Sequence, residues 1–208
     1  MAEMNKQQIL ITITRDFGSL GHRIADELGK ELGIPVVDKT LLYKMAENHG
    51  FDPEFLKKYD EKPRNPLTSR TLKGHSNSIE QVLADMVFKY QKDLADTGED
   101  FIMVGRCADW NLRGYPNVIK IFITADEPDR RDHVAKALDI SLADAESLIK
   151  KMDRRRLYYH KSNTDVSWGD PNFYNLSVNS SKLGVEGCVE LIKNYIQLYM
   201  SKSQNWDD

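Results

Sequence analysis

Between residues 14 and 23 the chain reads TRDFGSLGHR, with Gly18 and Gly21 three residues apart and Arg15, His22 and Arg23 beside them. Glycines at that spacing let backbone N–H groups converge on an anion, and the basic side chains bring charge to the same place. Phosphate binding is the chemistry such a segment suits. A Gly-x-x-Gly pair serves an ordinary strand-to-helix turn equally well, so both readings stand at this point. The phosphate-loop pattern Gly-x4-Gly-Lys-Ser/Thr is not met. Aligned without gaps with Gly18 three residues before the lysine, the lysine position is held by Gly21, and a one-residue shift puts His22 there.

The second candidate is basic. Residues 150–161, KKMDRRRLYYHK, carry six Lys/Arg and one Asp, a local charge of +5. A charge run is usually a solvated helix face. Stepping from Leu142 at helical spacing gives Ala145, Ile149, Met152, Arg156 and Tyr159, so Arg156 falls on the apolar stripe. An inward arginine needs an anionic partner, and a phosphoryl group suits the guanidinium fork. Arg154 and Arg155 point more outward. His49, His75, His133 and His160 lack metal-ligand spacing and read as surface or capping residues. Tyr158, Tyr159, Trp168, Phe173 and Tyr174 are as suited to packing as to stacking on a base.

The elements that must position these residues alternate. Apolar runs at 9–14, 34–37, 101–104, 118–123 and 174–178 predict buried strands. Helical periodicity predicts a helix from Ile24 to Leu32 with Gly33 as its stop, and others at 39–49, 76–97, from Asp126, from Ser141 and at 184–200. The helix at 76–97 carries Ile79, Leu83, Met86, Tyr90 and Leu94 on one stripe. Asp126 and Ser141 are the expected N-caps. Residues 60–75, rich in Pro, Ser, Thr and charge, predict a loop. The alternation implies an α/β fold, a three-layer parallel sheet with helices on both faces, where ligands sit at the carboxyl ends of strands.

The 208 residues suit one large domain. A net charge of −3 argues against general nucleic-acid binding. The Gly18–Gly21 pair also has the form of an RNA-clamping loop, but that loop joins two helices, and here a strand precedes it. No apolar run approaches the roughly 20 residues of a membrane span, and MAEMNKQQ has no signal-peptide character, which predicts a soluble cytoplasmic protein. Cys107 and Cys188 exclude a disulfide scaffold.

The segments ITITRDFGSLGHRIADELGKELGIPVVDKTLL, FIMVGRCADW, RRRLYYHKSNTDVSWGDPNFYNLSVNSS and LGVEGCVELI together resemble the cytidylate kinase-like family, divergent P-loop relatives of the nucleoside monophosphate kinases. The resemblance implies a single kinase-like domain. Its core would span about 9–49 and 100–200, with an acceptor-binding insertion at about 38–99, a lid at about 153–172 and a tail at 201–208. It implies phosphoryl transfer from ATP with Mg²⁺ to a nucleoside monophosphate such as CMP, or to another small acceptor. Gly18, Ser19, Leu20 and Gly21 would hold the ATP phosphates, and Ser19 or a nearby hydroxyl would touch Mg²⁺. Asp38, Tyr43, Arg106 and Asp109 would serve the acceptor. Arg154 and Arg156 would be lid arginines, and His22, Arg23 or a lid arginine would replace the missing lysine. Lys39, Thr40, Leu41, Lys44 and Cys107 depart from the cytidylate kinase pattern. The absent lysine keeps a second expectation in view, a weakly active or inactive nucleotide-binding regulator. Exposed apolar positions on the 76–97 helix leave room for a homodimer.

Overall fold

The computed structural model describes residues 8–38, 71–72, 75–76 and 79–203. In chain order the elements are β1 (Leu10–Arg15), α1 (Gly21–Leu32), β2 (Val36–Val37), β3 (Thr71–Leu72), β4 (His75–Ser76), α2 (Ile79–Ala95), β5 (Phe101–Val104), α3 (Ala108–Asn111), β6 (Val118–Thr124), α4 (Glu127–Leu138), α5 (Leu142–Asn163), β7 (Leu176–Asn179) and α6 (Ser180–Ser203). Five strands form a parallel sheet in the order β2-β5-β1-β6-β7. The expected three-layer α/β fold is therefore present.

The strands are short and rich in Ile and Val because both sheet faces are covered, which favours continuous apolar runs over alternation. On one face Ile11, Ile13, Ile121 and Ile123 pack under Ile24 and Leu28 of α1 and Cys188, Val189 and Ile192 of α6. On the other, Leu10, Phe101 and Met103 pack against Ala95 of α2 and Ala108 of α3. β1 lies between β5 and β6, with Ile13 beside both Val104 and Ile121. That register brings Arg15, at the end of β1, next to the chain leaving β5.

Gly33 ends α1 in a left-handed conformation (φ 66°), and Ser141 caps α5 by accepting the Asp144 N–H at 3.1 Å. Asp126 stands at the N-cap of α4 but does not cap it. Its carboxylate accepts from Asn179 Nδ2 at 2.8 Å and pairs with Lys182 instead. The α2 helix begins at Ile79, three residues later than its periodicity predicts, because His75–Ser76 pairs antiparallel with Thr71–Leu72. Thr71, Leu72 and His75 of this ribbon fall in the segment expected as a loop at 60–75, whose residues 60–70 lie outside the described residues. The last helix starts at Ser180 and is interrupted at Gly184 (φ 66°, ψ −175°). The helix expected at 39–49 lies outside the described residues.

The apolar stripe of α5 is buried at Ala145, Ile149 and Tyr159, whereas Leu142 is exposed in the first turn. This burial fixes how α5 is rotated on the body of the protein. Ile149→Ala should cost about 2–5 kcal/mol while Leu142→Ala stays within about 0.5 kcal/mol. Urea unfolding of the two variants with unchanged m-values checks the rotation.

Candidate functional site

The chain leaves β1 at Arg15, turns through residues 16–20 and enters α1 at Gly21. Gly18 (φ 84°) is pressed on α4 so closely that a Cβ there would lie 2.8 Å from the Arg130 carbonyl oxygen. Leu20, the N-cap of α1, is left-handed (φ 60°, ψ 13°) and gives no side-chain cap. Helix-start N–H groups have no intrahelical acceptor, and the residues that open α1, Gly21, His22 and Arg23, line a cleft.

The loop carbonyls are all engaged. Arg156 Nη1 donates to Arg15 O at 2.9 Å and Ser19 Oγ to Asp16 O at 2.9 Å. Arg130 Nε donates to Phe17 O at 2.8 Å and Ser180 Oγ to Ser19 O at 2.8 Å. His133 Nδ1 lies 3.1 Å from Gly18 O, which fixes the proton on that nitrogen. Leu20 O takes the Ile24 N–H at 2.9 Å. Asp153 completes the fastening, accepting the Phe17 N–H at 2.8 Å and pairing with Arg130. Burial pushes the Asp16 carboxyl up, opposed by the Thr124 hydroxyl and by Arg130.

In front of the loop lies a cleft of about 840 Å³ at the carboxyl ends of β1 and β5. Its lining includes Gly18, Leu20, Gly21, His22 and Arg23 of the loop and α1, and Arg15, Val104 and Arg106 at the strand ends. Met152, Arg155 and Arg156 of α5 face them, with Val134, Ala137 and Leu138 of α4 as an apolar side. Arg15, Arg23, Arg106, Arg155 and Arg156 thus meet at one cleft, with Asp16, Asp26 and Asp38 as its carboxylates.

The structure brings most of the expected residues together. Gly18, Leu20, Gly21, His22, Arg23, Asp38, Arg106 and Arg156 all line the cleft. His22 Nε2 is 3.5 Å from Asp38 Oδ2 and 3.7 Å from Asp26 Oδ2. Arg106 is buried in a run of three left-handed residues, Gly105, Arg106 and Cys107 (φ 77°, 59° and 54°). Its carbonyl accepts from Gln91 Nε2 at 3.2 Å, and Gln91 in turn accepts from Asn111 at 2.8 Å.

Four expectations change. Ser19 is 0% exposed and its hydroxyl is spent on Asp16, so it does not face the cleft. Arg154 is exposed and outside the cleft lining, and Arg155 stands there instead. Asp109 is 1% exposed and away from the cleft. It accepts from Thr14 Oγ1 at 3.0 Å and Tyr174 OH at 2.8 Å, with His160 Nε2 at 3.5 Å. Burial opposes its charge, yet His160 and the two hydroxyls outweigh burial and hold the carboxyl below its usual range. His133 and His160, read from spacing as surface or capping residues, are instead parts of the site's support. Tyr43 lies outside the described residues. The aromatics after α5 are packed: Trp168 meets Phe122 edge-on at 5.4 Å, Tyr174 is 5.1 Å from Phe122, and Phe173 is 5.4 Å from Tyr174.

Arg130, Asp153 and Ser180 had no sequence signal, since each meets the loop from more than 100 residues away. Arg15 was visible in the motif, but only its position across the strand ends singles it out.

A parallel sheet with a phosphate-type loop after its central strand and an arginine-lined cleft at the strand ends defines an α/β kinase-like fold of the P-loop class. The chain belongs to the cytidylate kinase-like family, whose sequence pattern it matches over residues 10–182. A curated relative from Archaeoglobus fulgidus, named cytidylate kinase, is 23% identical over 192 residues, covering 90% of this chain and 94% of its own. A crystal structure of an uncharacterized protein from Eubacterium ventriosum is 28% identical and superposes with a TM-score of 0.73 over 91% of this chain and 99% of that one. A gluconokinase from Sinorhizobium meliloti shares the fold at 11% identity, with a TM-score of 0.58 over 95% and 98% of the two chains. Among the described residues no helix is long and apolar enough to cross a membrane.

Removing the Asp109 carboxylate leaves the Thr14 and Tyr174 hydroxyls without their common acceptor and takes away the carboxylate 3.5 Å from His160 Nε2. Asp109→Ala should cost about 3–5 kcal/mol at pH 7. The wild-type contribution is whole above the unfolded-state value of 3.8 and is lost as pH falls through the lower folded value. Urea unfolding at pH 7 and pH 3 should therefore show a smaller acid loss for Asp109→Asn than for the wild type.

Proposed function

We propose that the protein is a phosphotransferase of the nucleoside monophosphate kinase type, moving a phosphoryl group from Mg·ATP to a CMP-like nucleotide or another small acceptor. Five arginines meeting at the carboxyl ends of β1 and β5, before the uncapped start of α1, carry the reading. Phosphoryl transfer is mostly positioning and charge stabilisation, and it asks for N–H groups and guanidinium groups rather than a nucleophilic side chain.

In this reading the N–H groups of Gly18, Leu20 and Gly21 and the first turn of α1 hold the donor phosphates. Ser19 shapes the loop instead, its N–H donating to Asp16 O at 3.4 Å and its hydroxyl to the same oxygen at 2.9 Å. Arg106 and Asp38, with Tyr43, serve the acceptor. Arg155 and Arg156, within the lid region 153–172, sit opposite the loop and bridge donor and acceptor. His22 and Arg23 add charge in the cleft lining. Asp109 acts at one remove, holding Thr14 of β1 and His160 of α5 in place. The cleft lining sets five arginines against Asp16, Asp26 and Asp38, so it is positive within a chain whose overall charge is −3.

The residues also fit Mg²⁺. That ion keeps several waters and uses one or two carboxylates together with substrate phosphates. Asp38 and Asp26, in the cleft lining beside His22, are the carboxylates that would hold it. When bound, it offsets charge on the phosphate oxygens.

Mg·ATP at a hundred times its Kd should stabilise the fold by about 2.7 kcal/mol, or roughly 5–10 °C in Tm for a chain of this size. CMP should add to that shift, and thermal scanning with and without each ligand is the measurement. Arg156→Ala should lower kcat by about a hundredfold. A nucleotide-dependent shift with no transfer to any acceptor would instead favour the regulator, to which the missing lysine also points.

A further inference from the structure

Gly21 holds the lysine position of the phosphate-loop pattern, yet its conformation does not ask for glycine, since its φ is not positive. The space around it does. A Cβ on Gly21 would lie 2.6 Å from Arg15 Cβ and 2.9 Å from Arg15 Cγ. The same side chain continues to Gly105, where a Cβ would lie 2.1 Å from Arg15 Nη1 and 3.2 Å from its Cζ. Two glycines on separate elements therefore clear a path for one arginine, which crosses from the end of β1 to the end of β5 in the cleft lining. Its backbone is held as well, because Arg15 O accepts from Arg156.

We infer that Arg15 is the residue that replaces the missing lysine, a catalytic guanidinium on the donor phosphates that enters from the strand side of the loop. This rests on the phosphotransferase reading and goes beyond it by choosing Arg15 over His22 and Arg23. The His22 side chain is 52% exposed, whereas the Arg15 guanidinium lies against Gly105, the residue before Arg106. As the bond from the γ-phosphorus to the bridging oxygen breaks, ADP keeps the electron pair, and a new P–O bond forms to the acceptor oxygen. Arg15 stabilises the charge that builds on the departing phosphates. A guanidinium keeps its charge and binds phosphate oxygens in pairs, so it serves in lysine's place.

The test uses the full chain, with inorganic tripolyphosphate followed by calorimetry and ATP-to-CMP transfer followed by coupled assay. Arg15→Gln should weaken tripolyphosphate binding about tenfold and lower kcat about a hundredfold, with the KM for CMP unchanged. Arg15→Lys should recover most of both, and Lys89→Gln on α2 should change neither. Gly21→Ser keeps the charge but takes the space of the Arg15 stem, so it should reproduce the loss; it decides the matter if Arg15→Gln does not fold. Wild-type affinity and turnover in Arg15→Gln, or in Gly21→Ser when Arg15→Gln does not fold, would overturn the assignment and leave the phosphotransferase reading intact. Tripolyphosphate binding that depends on Arg15, without transfer to any acceptor, would overturn that reading and keep Arg15 as the anion's partner. A wild type that binds no tripolyphosphate would overturn both.

Discussion

A loop that grips an anion with its N–H groups has an opposing problem, because every peptide unit also carries a carbonyl oxygen that repels the same anion. Here six consecutive carbonyls, from Arg15 to Leu20, are each tied to a donor. The donors come from α4, α5 and α6 as well as from the loop and α1. These bonds set the loop's shape, hold Leu20 in a left-handed conformation and press Gly18 onto α4. The cleft exists because the carbonyls have somewhere else to go.

Two buried polar groups extend the same support to the rest of the site. Asp109 ties β1 through Thr14, the segment before β7 through Tyr174 and α5 through His160. Gln91, wholly buried on α2, holds the carbonyl of Arg106 in its left-handed turn. Backbone conformations of this kind carry strain and persist where neighbours enforce them.

Much of the fold was legible because its signals are local. Five apolar runs gave five strands, and the periodicity of α5 placed Arg156 inward. The same periodicity missed Arg155, because a helix face has width and the cleft lies to one side of the stripe. Asp109 looked like an acceptor group since it follows Gly105-Arg106 in sequence, but the turn there buries it. Its partner His160 is 51 positions away, and Arg130 and Ser180 reach the loop from 113 and 161 positions away. Contacts of that span depend on how helices pack on the sheet, and no short motif encodes them. Gly21 is the instructive case: the phosphate-loop pattern asks for a lysine there, and in the folded chain the Arg15 stem fills the space.

The α5 helix touches the loop twice within one turn, through Asp153 on the Phe17 N–H and Arg156 on the Arg15 carbonyl, and is pinned again seven residues after Asp153 at His160. Three anchors make helix and loop one mechanical part. Any swing of α5 must break bonds that shape the loop, so the stiffness of the loop and the travel of the helix are a single quantity, and a change that loosens one frees the other.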